Sequence, residues 1–286
     1  LIDTPAIFIW PVLTAQLLIF GTAAFALIFA PVTHEGSRPP SDALIALWRA
    51  LAILNLLMSP LAFMEIASGM AQMSWLQVLP LLPEIMRETV AGRFWIWRLA
   101  IAMILALAMW IPARKGRLAI VALSLTAILI VLGSLTSHAI DKGAWVIAIY
   151  AIHQAAVGMW FGALASLLMS ARRGTAALEA ITPRVSTVCA WALAIIVTSG
   201  PLIAFQWLRW NLHLLVDSAY GRTLVGKLAT AIPALLLGAS NRYWQVPRVA
   251  DKSVRTVLIR SVAAECALLL AVLGWSAFLA NTPPPH

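Results

Sequence analysis

Apolar stretches of bilayer-crossing length recur from one end of this chain to the other, and they leave it few folds to choose from. A helix needs about 20 apolar residues to cross the hydrocarbon layer. Stretches of that order occur at about 7–30, 44–69, 94–112, 118–137, 144–170, 186–208, 223–241 and 257–280. A soluble domain has no use for so many, and lipid tolerates spanning segments only as helices or closed barrels. The expected fold is therefore an all-α polytopic membrane protein with eight transmembrane helices, residues 1–286 forming a single integral membrane domain. Hydrophobic residues make up 62% of the chain and charged residues 11%, which excludes a charge-solvated globular surface.

The net charge of +9 does not make the chain a nucleic-acid binder, because its Lys and Arg residues sit at helix ends and form no basic stripe. The expected partner is the lipid bilayer, with no nucleic acid. Cys189 and Cys266 fall in apolar runs without a CxxC spacing and read as buried small hydrophobes. No separable signal peptide is expected, since no charged segment precedes the first apolar stretch. Prolines 31, 39, 40, 80, 83, 112, 183, 247 and 283–285 punctuate the links, and Pro11, Pro60, Pro201 and Pro233 are expected to kink spans.

Basic loops set the direction of threading. Arg114, Lys115 and Arg117 mark one loop, Arg172, Arg173 and Arg184 the next alternate one, and Arg242, Arg248, Lys252 and Arg255 the third. The intervening loops are near neutral, so both termini are expected on the periplasmic face, with His138 and His213 at the outer surface. The 32–43 loop is placed inside by alternation alone. Between Gly69 and Arg93 the chain is too polar to span, yet Trp75 to Pro83 is apolar; an amphipathic segment on the outer face is expected.

An internal repeat is also visible. Ser68-Gly69, Gly92-Arg93 and Arg98-Leu99 in the first half parallel Ser199-Gly200, Gly221-Arg222 and Lys227-Leu228 in the second. Arg98 and Lys227 each follow the preceding arginine by five residues. Two parallel four-helix halves, 1–140 and 141–286, are the implied architecture.

Ionisable side chains inside lipid are costly and are where function is sought. His153 lies about ten residues into the fifth span, roughly 15 Å from its outer end. It serves either as a metal or cofactor ligand or as a hydrogen bond between helices. His138 ends the fourth span, and Met70 and Met73 border the end of the second beside Glu65. Imidazoles and thioethers are soft donors suited to Cu(I). Glu65, Arg98, Lys227 and Glu265 are the other expensive groups; they read as ion pairs joining the halves or, at Glu265, as an exit-side relay. The chain has no phosphate-binding loop and no HExxH, so no enzyme is expected.

Ser137-His138-Ala139 and the run from Ala151 to Leu164, with His153, Trp160, Gly162 and Leu164, resemble two elements of the copper resistance protein D family. Thr198-Ser199-Gly200, Tyr220-Gly221-Arg222, Asn241-Arg242, Pro247-Arg248 and Arg260-Ser261 with Glu265 are similar to later landmarks in order, and Gly92-Arg93 with Trp97-Arg98-Leu99 to earlier ones. Ser137 stands where the family usually has glycine. The resemblance implies copper handling at the bacterial inner membrane, with copper movement across it and often a separate periplasmic copper-binding protein; no copper-binding domain is expected to be fused at either end. A copper permease is the leading expectation, taking Cu(I) at His138, Met70 and Met73 and passing it to His153, with uptake favoured by the outward collection site. A membrane haem protein and a non-transporting copper scaffold are the alternatives; a depth mismatch of up to about 15 Å between His138 and His153 weighs against a shared haem.

Overall fold

The computed structural model describes residues 6–28, 32–33, 36–37, 40–137, 142–209, 211–283 and 285. Apolar runs become helices because each backbone N–H and C=O removed from water must be satisfied within its own segment. In chain order these are α1 (Ile9–Ile28), α2 (Asp42–Ala71), the short α3 (Trp75–Val78) and α4 (Leu82–Glu88), α5 (Val90–Ala108), α6 (Lys115–Leu135), α7 (Ala144–Ala171), α8 (Thr175–Leu208), the one-turn α9 (Leu214–Asp217), α10 (Ala219–Ser240) and α11 (Lys252–Asn281). A small antiparallel pair, β1 (Val32–Thr33) with β2 (Gly36–Ser37), lies in the link after α1. Helix α10 continues through a π-helical turn, Asn241–Gln245, and a 3-10 turn, Val246–Arg248. Eight of the described helices are long and apolar enough to cross a membrane: α1, α2, α5, α6, α7, α8, the extended α10 and α11.

Two expectations about proline need correction. Pro183 lies inside α8, which starts at Thr175 and runs for 34 residues, about 51 Å, well beyond the hydrocarbon thickness. The carbonyl of Glu179, which Pro183 deprives of an N–H partner, is close to the helix start, within reach of water. Pro11 lies in the first turn of α1, where no intrahelical N–H bond is lost, so it has no cause to kink the helix.

The first spanning helix is the hub. It packs against α2, α6, α7 and α11, while α5 joins α2 to α6. On the other side α7 packs on α8 and α11, and α10 leans on α11 with only slight contact to α8. Glycines make the α1–α7 crossing possible: a Cβ added at Gly21 would fall 1.7 Å from the Gly158 carbonyl oxygen, and one at Gly162 would fall 2.2 Å from the Gly21 carbonyl carbon. Backbone contact of this kind substitutes for the hydrophobic drive that lipid removes.

The segment between α2 and α5 does not span. Trp75 packs against Phe8 with ring centroids 5.4 Å apart, and Leu82, Ile85 and Met86 cover a cluster of Ala6, Ile9, Phe63 and Trp95. It therefore closes the bundle at the end where α1 begins. At the opposite end Lys115 at the start of α6 pairs with Asp42 at the start of α2 at 2.8 Å, and Arg255 pairs with Glu179 at 2.7 Å. The link before α2 thus shares an end with the basic loop before α6, as alternation requires.

Candidate functional site

Helix α7 carries two polar centres on one face, His153 and, seven residues on, Trp160. His153 Nδ1 lies 2.8 Å from Ser199 Oγ of α8. The Ser199 hydroxyl donates its one hydrogen to the Ile195 carbonyl at 2.6 Å, so Oγ accepts and Nδ1 carries the ring proton. Nε2 is left with a lone pair, the form in which a histidine coordinates a metal, with the other nitrogen fixed by a hydrogen bond. Gly200 keeps space beside the ring: a Cβ there would stand 3.8 Å from His153 Cε1. Lys227 of α10 is the charged side chain that bears electrostatically on this imidazole.

The second centre lies deeper along α7. Trp160 Nε1 donates to Glu265 Oε1 at 2.7 Å, and Asn241 Nδ2 donates to Oε2 at 2.8 Å. The carboxylate is 1% exposed and comes from the middle of α11, while Asn241 opens the π-helical turn after α10. A Cβ at Gly238 would approach Oε1 to 3.1 Å, so a larger residue would crowd the carboxylate.

Glu65 has a different setting. Its oxygens accept from the backbone N–H groups of Phe8 and Ile9, three contacts each at 3.1 Å, so the carboxylate caps the start of α1. Negative charge at a helix N-terminus is stabilised by the dipole and by otherwise orphaned N–H groups. Glu65→Ala is accordingly expected to lower unfolding stability by about 1–3 kcal/mol, read in a detergent thermal melt, with copper binding per folded molecule unchanged. Arg98 lies 4.1 Å over the Trp95 ring and donates from Nη1 to Thr136 Oγ1 at 2.9 Å. Neither Arg98 nor Lys227 forms an ion pair with Glu65 or Glu265 among the described residues, where the pairs are Lys115–Asp42 and Arg255–Glu179. Backbone and neutral donors satisfy the carboxylates instead.

Met70 and Met73 stand at the end of α2, 53% and 39% exposed, and are not brought to His153. His138 lies outside the described residues. Among the described residues no three His, Cys, Asp or Glu side chains gather closely enough to hold a metal ion, and no second histidine faces His153. Sequence reasoning valued Ser199 only as a small repeat residue and missed it as the partner that fixes the imidazole. It also missed Trp160 and Asn241 as donors to Glu265; an asparagine ending an apolar run was the available signal.

Eight helices long and apolar enough to span, with an imidazole and a carboxylate held in the interior, define a polytopic membrane protein. The profile described as Copper resistance protein D-like, N-terminal domain, matches residues 6–148, half of the chain, and that described as Copper resistance protein D matches residues 179–279. The chain belongs to the copper resistance protein D family and is a multi-pass inner-membrane protein. Copper resistance protein D of Pseudomonas syringae pv. tomato is 26% identical over 294 aligned residues, which cover 95% of this chain and 94% of that protein. Copper transport protein CutJ of Bacillus subtilis (strain 168) is 27% identical over 215 residues, 71% of this chain but only 38% of the longer relative. No solved structure matches the chain.

Proposed function

We propose that this chain carries copper, as Cu(I), across the bacterial inner membrane from periplasm to cytoplasm, with His153 as its ligand within the bilayer. The observation that carries the reading is the 2.8 Å contact of His153 Nδ1 with Ser199 Oγ, which commits that nitrogen to α8 and leaves Nε2 to coordinate. A neutral imidazole binds Cu(I) without burying a new negative charge. Lys227 nearby disfavours any resident cation, which suits a site that must release what it takes up. His138, Met70 and Met73 are the collecting residues at the outer face, supplied there by a periplasmic copper-binding protein. The name of the Bacillus relative and the family both support copper as cargo.

The reading includes two parallel four-helix halves, 1–140 and 141–286. Their support is local and specific. Thr89 before α5 and Ser218 before α10 have backbone angles of −93°/147° and −95°/150°, and each hydroxyl accepts from the N–H three residues on, at Gly92 and Gly221, at 2.9 Å. Both glycines press on the preceding short helix: added Cβ atoms would meet the Ile85 and Leu214 carbonyl oxygens at 2.2 and 2.0 Å. Helix α1 touches α11 as α7 touches α6, the exchange expected if first and fourth helices of the halves correspond. Both termini are assigned to the periplasm. Accessibility tags at residue 115 and after residue 173 are expected on the cytoplasmic side and tags near residue 141 and at the C-terminus on the other; reversal of any one rejects the threading.

Binding tests the cargo directly. The Cu(I)-loaded protein is expected to show imidazole scattering in its copper X-ray absorption spectrum, and that signal is expected to vanish in His153→Ala. A spectrum unchanged by the substitution would contradict the assignment. A Soret band in the purified protein would replace copper with haem.

A further inference from the structure

A cavity of about 230 Å³ opens between α7, α8, the end of α10 and α11, and the Glu265 carboxylate forms part of its wall. It lies at the end of the bundle that carries the Arg242 turn. Most of its lining is apolar, from Leu164, Val185, Leu193, Leu235 and others, and its polar residues include Thr182, Ser186, Asn241 and Glu265. Asn241 is 6% exposed, its amide nitrogen is spent on Glu265 Oε2, and its Oδ1 has no hydrogen-bond partner. An orphaned buried acceptor beside a carboxylate needs an explanation.

The protonation state of Glu265 supplies one. As a carboxylate it accepts from Trp160 on one oxygen and from Asn241 on the other, yet it forms no ion pair among the described residues, and burying an unpaired charge is costly. As a carboxylic acid it needs an acceptor for its new O–H. Rotating the Asn241 amide by half a turn exchanges its NH₂ and C=O and puts Oδ1 where that acceptor is required. Trp160 can keep donating to Oε1 in both states. Glu65, by contrast, is held by the two N–H groups of Phe8 and Ile9, neither of which can turn into an acceptor.

We infer that Glu265 is a proton-binding site, filled from water in this cavity, with Asn241 as a hydrogen-bond partner that serves both of its charge states. The step balances simply: hydronium in the cavity gives its proton to Oε2, an O–H bond forms, water remains and the carboxylate charge disappears. The groups facing Glu265 leave the proton as the variable. Arg242 and Tyr243 line the same cavity; Arg242 is engaged with the Ser186 carbonyl and hydroxyl at 2.8 and 2.9 Å, and Tyr243 is largely exposed. From α8 the titratable group is the Cys189 thiol, and α11 adds Cys266; α7 contributes only the neutral Trp160 indole. The site adds to the copper reading a coupled ion, bound at a carboxyl group whose donor Trp160 shares the α7 face of His153, and to that extent it rests on that reading.

Infrared difference spectra of the reconstituted full chain, taken across a pH titration, test it. A carbonyl stretch from a protonated carboxyl group is expected to grow as pH falls, to be lost in Glu265→Gln, to shift in frequency in Glu265→Asp and in Asn241→Ala, and to survive in Glu65→Gln. In vesicles of uniform orientation, only pH change on the Arg242 side is expected to drive it. A titrating band that persists in Glu265→Gln, or none at any pH, overturns the inference. Copper uptake measured on the same vesicles separates the two readings: uptake without a titrating Glu265 removes the proton site alone, and a titrating Glu265 without any uptake removes the permease alone.

Discussion

Copper uptake by His153→Ala is expected to fall by about 100-fold or more in reconstituted vesicles, with the purified variant still folded and monodisperse. The geometry dictates both halves of that outcome. Removing the imidazole takes a polar ring out of an apolar bundle and leaves Ser199, which keeps its bond to the Ile195 carbonyl, without an unsatisfied hydrogen. The same change removes the only nitrogen lone pair that the α7–α8 face presents. His153→Leu is expected to be equally inactive and at least as stable. Ser199→Ala keeps the imidazole but frees its tautomer and orientation, and copper affinity is expected to drop by about 10- to 100-fold. If His153 were only a hydrogen bond between helices, both changes at 153 would lower the melting temperature and leave copper bound per folded molecule untouched.

The largest effect on stability is expected at the α1–α7 crossing. Gly21→Val puts side-chain atoms where the Gly158 carbonyl now sits, and neither partner can yield, since the obstacle is backbone on both sides. Overpacking usually costs about 1–3 kcal/mol when side chains can shift. Here whole helices must separate, and we expect a loss of about 3 kcal/mol or more, seen as a lowered detergent melting temperature or failure to insert as a single species. Gly116→Ala is the control: nothing lies within 4 Å of its added Cβ, and the melt is expected not to move.

Much of this architecture was legible in the residues. Hydropathy located all eight spanning helices, because a lipid-facing helix must be apolar on every side and its length is fixed by the bilayer. Where the reading slipped, it was at α8: Glu179 and Arg184 read as loop together with Arg172 and Arg173, whereas the helix starts at Thr175 and carries Glu179 and Arg184 beyond the hydrocarbon. Charge marks where lipid ends, and a helix need not end there. The candidate site was less legible. His153 stood out because an imidazole in an apolar run is rare, and Glu265 for the same reason. Their partners did not stand out: Ser199, Trp160 and Asn241 are ordinary residues in a membrane helix, and only the crossing of α7 with α8 and α11 makes them partners. Spacing along one helix carries no information about which neighbour it will meet. The same limit applies to Glu65, read as half of an ion pair and found capping a helix 56 residues earlier in the chain.

The measurement closest to the central claim is copper uptake into vesicles holding this protein in one known orientation, with Cu(I) and Cu(II) supplied separately. The account predicts accumulation of Cu(I) when the His213 end faces the added metal, little accumulation of Cu(II), and none of either with His153→Ala. Equal accumulation by His153→Ala and the unaltered protein, or metal that binds and never enters the vesicle lumen, would contradict it.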